Sequence, residues 1–189
     1  MLIESIAQLK DRRNKRENVG PITDVDRSAF FRVPCGKRNP AVQKQKFQSH
    51  STEQTIALGA ELGKRLRRGD IVALHGPLGA GKTTLVKGIA RSLLIEDPVT
   101  SPSFTIIAEY DGFLEGAPIV LYHVDLYRIG HPQEIEDLGI EEILNGSGIC
   151  VIEWAEKAAA FLPESAIHIE IGLLEDENRD MEIKGLSDS

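Results

Sequence analysis

A glycine-rich octet constrains this chain more than any other feature. Gly76-Pro77-Leu78-Gly79-Ala80-Gly81-Lys82-Thr83 fits the pattern G-x-x-x-x-G-K-[ST]. Before it stands a short apolar run, Asp70–His75, which reads as a buried strand. After it, Leu85, Val86, Ile89, Ala90 and Leu93 recur at helical spacing, so Lys82–Leu94 reads as a helix. Strand, glycine turn and helix in that order make a phosphate-binding loop. The glycines let successive N–H groups turn inward on an anion. The helix aims its positive dipole end at the same point. Lys82 reaches the β- and γ-phosphates, and the Thr83 hydroxyl offers an oxygen to Mg²⁺. Pro77 is acceptable where the missing N–H would meet no phosphate. ATP and Mg²⁺ are therefore the expected ligands.

The rest of the chain supplies the elements of an α/β protein. Ser51 or Thr52 caps a first helix on which Ile56, Ala60, Gly63 and Leu66 share a face. Lys64, Arg65, Arg67 and Arg68 follow, where a helix C-terminus favours cations. Thr105–Tyr110 and Pro118–Asp125 read as strands, and His131–Asn145 as a helix with Pro132 near its start. Ile149–Trp154 reads as another buried strand. Ala166–Gly172 and Met181–Lys184 alternate, which predicts an antiparallel hairpin. The fold class is thus an α/β P-loop NTPase. Its central sheet is mostly parallel, flanked by helices, with an antiparallel edge hairpin.

Charge divides the chain in two. The net charge is −7, but residues 1–49 hold eleven Lys/Arg against five acids, which leaves −13 for residues 50–189. Residues 1–49 are weakly periodic and broken by Gly20, Pro21, Pro34 and Pro40. They read as a basic, disordered extension with a short helix at Ile3–Arg13, and 50–189 as the ATPase domain. An acidic core repels nucleic-acid backbones, so tight RNA binding by it is not expected. No apolar run reaches the ~20 residues of a membrane span. Cys35 and Cys150 fit no metal spacing and no disulfide framework, which points to a reducing, cytoplasmic setting.

A triphosphatase needs acids near the metal. Open α/β sheets bind ligands at the carboxyl ends of their strands. Two predicted strands end there in an acid, Asp125 and Glu153. The segment Thr100-Ser101-Pro102-Ser103-Phe104-Thr105 reads as a capped turn or as a mobile loop in which Ser103 meets the γ-phosphate. Trp154 reads first as core and second as a nucleotide contact. His123 and His131 read as structural.

Taken together, GPLGAGKTTLVKGIA, VTSPSFTIIAEY, LYHVDLYR, EIEDLGIEE and GICVIEW resemble the TsaE family across residues 51–185. These are small bacterial ATPases needed to make threonylcarbamoyladenosine in tRNA. The resemblance implies that Gly79–Thr84, including Thr84, hold the triphosphate. It implies that Thr83 and Glu153 hold Mg²⁺, and that Asp125 lies beside the γ-phosphate and the metal. Ser103 would belong to a switch-like segment, and Thr52 would approach the adenine. Lys82, Asp125 and Glu153 are the expected catalytic residues, with Asp125 or Glu153 positioning the attacking water. The implied partners are TsaB and TsaD, with tRNA reached only through their complex. The family usually has aspartate where Pro77 stands, which bears on fine loop geometry alone.

Rival classes fit less well. A small-molecule kinase needs an arginine-rich lid, and only Arg128 and Arg179 follow residue 100. A GTPase would carry a guanine-reading N-K-x-D. The near match Asn14-Lys15-Arg16-Glu17 lies upstream of the loop, in the wrong place. An inert scaffold would tolerate Lys82→Ala. No arginine finger is evident, Arg128 being the only nearby candidate, so hydrolysis by the chain alone should be slow.

Overall fold

The structure is a computed structural model that describes residues 44–175 and 178–186. The helix expected at Ile3–Arg13, Cys35 and most of the basic extension lie outside the described residues.

A seven-stranded sheet runs in the order β1-β7-β6-β2-β5-β4-β3. Its strands are β1 (Gln45–Ser49), β2 (Ile71–His75), β3 (Ile107–Leu114), β4 (Ala117–Asp125), β5 (Ile149–Glu153), β6 (Ile167–Leu173) and β7 (Arg179–Lys184). The centre, β6-β2-β5-β4, is parallel. Such strands are covered on both faces and read as continuous apolar runs. β2 and β5 fit that rule: Ile71 to Leu74 and Ile149 to Glu153 are all buried.

Antiparallel pairing occurs at both edges rather than one. β6 and β7 form the expected hairpin. β3 and β4 form a second, closed by Glu115 and Gly116 at φ 53° and 78°. Two positive φ values suit a tight hairpin turn, and Glu-Gly is a weak sequence signal for one. Within the segment assigned to the extension, Gln45–Ser49 pair with β7 as an edge strand.

Helix α1 (Thr52–Gly63) is capped by Ser51, whose side-chain oxygen accepts the Gln54 N–H. Such a cap contributes about 1 kcal/mol. Its buried face is Thr55, Gly59, Leu62 and Gly63, turned by about one residue from the face expected. The cause is α2 (Lys82–Ser92). A Cβ on Gly88 would stand 2.2 Å from the Ile56 carbonyl oxygen and 2.7 Å from the Gly59 Cα. The two backbones therefore touch, and the small residues must face each other. Both helices cover one sheet face over a core that includes Val72, Leu74, Leu85, Ile89, Leu121, Val151 and Ile169.

Two elements differ from the expectation. The helix expected over His131–Asn145 is two short ones, α3 (Pro132–Asp137) and α4 (Ile140–Leu144). Gly139 breaks it in the left-handed region, at φ 65°. The strand expected from Thr105 starts at Ile107. Ile106 sits at φ 67°, an outlier for a β-branched residue, with its N–H on the Pro102 carbonyl. Its own carbonyl accepts the Asp125 N–H at 2.8 Å. Cys150 is buried, and burial pushes its thiol up to about 12. No helix of the described residues is long and apolar enough to cross a membrane.

Candidate functional site

Strand parity builds the site. Along β5, Ile149, Val151 and Glu153 point to the α2 side of the sheet, and along β4 so do Leu121, His123 and Asp125. Asp125 and Glu153 are register partners at the ends of adjacent parallel strands. Two apolar strands thus deliver two carboxylates beside the phosphate loop that leaves β2.

The loop from Gly76 to Gly81 turns as the motif requires. Gly76 has φ 134°, and a Cβ there would meet the Ile171 carbonyl oxygen at 2.2 Å. Gly81 precedes α2 at φ 99°. Lys82 folds back over the loop. Its ammonium donates to the carbonyls of Gly76 (2.7 Å) and Pro77 (2.9 Å). It also lies 3.9 Å from the centroid of the Trp154 ring, a cation–π contact. Burial pulls the Lys82 pKa below its ordinary 10.5, against the opposing charges of Glu153, Glu156 and Asp125.

The carboxylates are held by donors. Oε1 of Glu153 accepts from the Thr83 hydroxyl at 2.7 Å and pairs with His123 Nε2 at 2.8 Å. Oδ2 of Asp125 accepts from the Ser101 hydroxyl at 2.5 Å, and Oδ1 accepts the Tyr127 N–H at 3.0 Å. Glu153 and Asp125 are each only 3% exposed.

A cavity of about 390 Å³ opens above these groups. It is lined by the loop from Leu78 to Thr84 together with Ser101, Ser103, Asp125, Tyr127, Glu153, Trp154 and Arg179. The fold therefore brings together Leu78, Gly79, Ala80, Gly81, Lys82, Thr83, Thr84, Ser103, Asp125, Glu153 and Trp154. Gly76 lies at the root of the loop and Thr52 is exposed at the start of α1; neither lines the cavity.

Four residues here were not expected. Ser101 holds Asp125. Tyr127 lines the cavity and packs on Trp154, with ring centroids 5.2 Å apart. His123, set aside as structural, bonds to Glu153. Arg179 reaches over from β7 and donates from Nε to the Ala80 carbonyl at 2.9 Å. It shares parity with the core residues Met181 and Ile183, the one signal that could have found it. Arg128, named as the nearby arginine, instead lays its guanidinium 4.0 Å over the Phe104 ring. Arg179 is the arginine at the cavity wall.

The donor set suits a hard cation. Mg²⁺ is ordinarily held by one or two carboxylates plus phosphate oxygens, without a dedicated protein cage. Among the described residues no three His, Cys, Asp or Glu side chains converge as a metal cage. The Thr83 hydroxyl and the Glu153 and Asp125 carboxylates are the oxygens beside the loop.

Comparison with known proteins decides the lineage. The family model for "Threonylcarbamoyl adenosine biosynthesis protein TsaE" matches residues 49–181. The chain belongs to the TsaE family. The protein named tRNA threonylcarbamoyladenosine biosynthesis protein TsaE from Treponema pallidum is 42% identical over 135 residues, 71% of this chain and 96% of the relative. The one of that name from Bacillus subtilis is 40% identical over 141 residues, 74% and 85% of the two chains. The crystal structure of YdiB from Bacillus subtilis superposes with a TM-score of 0.65 at 34% identity, covering 77% of this chain and 88% of that one. The TsaE match takes in the loop, both carboxylates and Arg179, and ends within β7.

Proposed function

We propose that this chain is a Mg²⁺-dependent ATPase serving threonylcarbamoyladenosine modification of tRNA. In this reading it acts in the cytoplasm with TsaB and TsaD and resets their complex after each cycle. The observation that carries it is the convergence of Lys82, Thr83, Asp125 and Glu153 on one cavity above a glycine loop. The names of its relatives support the link to tRNA modification.

The residues divide the work. Loop amides from Gly79 to Thr84 grip the polyphosphate, and Lys82, anchored on two loop carbonyls, presents its charge to the β- and γ-phosphates. Thr83 and Glu153 would hold Mg²⁺, with Asp125 beside them. When bound, the ion offsets charge on the departing phosphoryl group. Asp125 or Glu153 orients the attacking water. Ser101, bonded to Asp125, ties the segment carrying Ser103 to the γ-phosphate position. Arg179 steadies the loop at Ala80 and adds positive charge at the cavity wall. Thr52 is proposed to approach the adenine from the start of α1.

Phosphate release from Mg²⁺–ATP, with and without TsaB and TsaD, tests this. The expectation is slow release alone and faster release with both partners. Equal, fast rates in the two conditions would count against partner control.

A further inference from the structure

His123 is a costly residue for a purely structural position. It is fully buried on β4, where Ile119 and Leu121, before it on the same face, belong to the apolar core and Asp125 follows it. Its Nδ1 is buried without any hydrogen-bond partner among the described residues. An aliphatic side chain would fill the space without stranding a polar nitrogen. The imidazole has one polar contact, Nε2 to Glu153 Oε1 at 2.8 Å. Its backbone is paired on both sides, with Ala108 of β3 and Val151 of β5, so the ring hangs from a rigid part of the sheet.

We infer that His123 is a positioning residue: its Nε2–H fixes Glu153 so that Glu153 in turn orients the Thr83 hydroxyl. Oε1 of Glu153 takes two hydrogen bonds, one from His123 and one from Thr83. Two donors on one oxygen fix the orientation of the carboxylate, and Glu153 lines the cavity. The Thr83 hydrogen is directed at Glu153, so the lone pairs of Oγ1 turn away from it, towards the place of a cation. A bare Nδ1 requires the tautomer with its proton on Nε2, because a proton on Nδ1 would be buried without an acceptor. The chain His123–Glu153–Thr83 thus links the middle of the sheet to the first turn of α2.

This inference rests on the proposed Mg²⁺–ATP site, and one experiment separates the two. ATP affinity is measured by calorimetry in EDTA and in Mg²⁺ for the wild type, His123→Leu and His123→Gln. The wild type should bind more tightly in Mg²⁺. His123→Leu should keep the EDTA affinity, which reports the loop amides and Lys82, and lose about tenfold of the Mg²⁺-dependent gain, the usual scale for a residue that orients a ligand. His123→Gln, which returns an N–H near the same place, should recover most of it. Equal loss in EDTA and Mg²⁺, or an undiminished gain in a folded His123→Leu protein, overturns the positioning role. A wild type whose affinity ignores Mg²⁺ overturns the site reading and the inference together. If His123→Leu does not fold, ¹⁵N NMR of the wild-type imidazole decides. A proton on Nε2 is expected, and a proton on Nδ1 with Nε2 bare contradicts the proposal.

Discussion

The Thr83 hydroxyl donates to Oε1 of Glu153 across 2.7 Å, joining the first turn of α2 to the end of β5. The two residues are far apart in sequence, and the bond exists because β2 and β5 are parallel neighbours with Leu74 beside Glu153. The same oxygen meets His123, so Glu153→Ala would strand a buried imidazole N–H. We expect that variant to lose about 1–3 kcal/mol of stability, the cost of an unsatisfied buried donor. Urea unfolding checks it, and a change near zero would mean that the buried bond contributes nothing.

The contact between α1 and α2 makes a prediction of opposite kind, an excess of atoms. A Cβ on Gly88 would press on the Ile56 carbonyl and the Gly59 Cα, both backbone atoms with little room to yield. Alanine raises helix propensity by about 1 kcal/mol, yet overpacking costs about 1–3 kcal/mol. Gly88→Ala should therefore destabilise on balance, read as a lower urea midpoint. A raised midpoint would show that the helices can separate freely.

His168 carries a pH dependence. Burial, then the charges of His75 and Lys184, hold its pKa below the ordinary 6.5. Its Nδ1 lies 3.1 Å from His75 Nε2, and His75 Nδ1 is 3.4 Å from Glu156. In the unfolded chain this histidine takes up its proton near 6.5, before the folded chain does. Stability is then complete above 6.5 and declines as pH falls from there towards the folded pKa. Unfolding free energy measured from pH 7.5 to 5, a range of about one unit above and more below that value, should show the decline. His168→Gln should flatten it, and an unchanged slope in that variant would assign the decline to other groups.

The phosphate loop was legible because its pattern is local: strand, glycine turn and helix follow within one short stretch. Asp125 and Glu153 were legible because each ends an apolar strand, and strand ends are where such sheets bind. The partners of those acids were not. His123 meets Glu153 through the register of β4 against β5, and Ser101 meets Asp125 through the path of a loop, neither of which a local window displays. His123 read as structural because no second histidine or cysteine stands at metal-ligand spacing from it. The second hairpin was hidden by a Glu-Gly turn of weak signature. The break at Gly139 was missed because a lone glycine within a helical pattern does not by itself end a helix. The displaced start of β3 depends on Ile106 adopting a conformation that its own side chain disfavours, so propensity points the wrong way.

The central claim is that this carboxylate-and-lysine site hydrolyses ATP for the TsaB–TsaD complex. The most direct measurement is steady-state phosphate release from Mg²⁺–ATP by the purified chain mixed with TsaB and TsaD, set beside Glu153→Ala in the same mixture. The account predicts turnover that needs all three proteins and falls about a hundredfold or more in the variant, the scale for losing a group that acts in the transition state. Turnover by Glu153→Ala equal to wild type, or none by the wild type even with both partners, would contradict it.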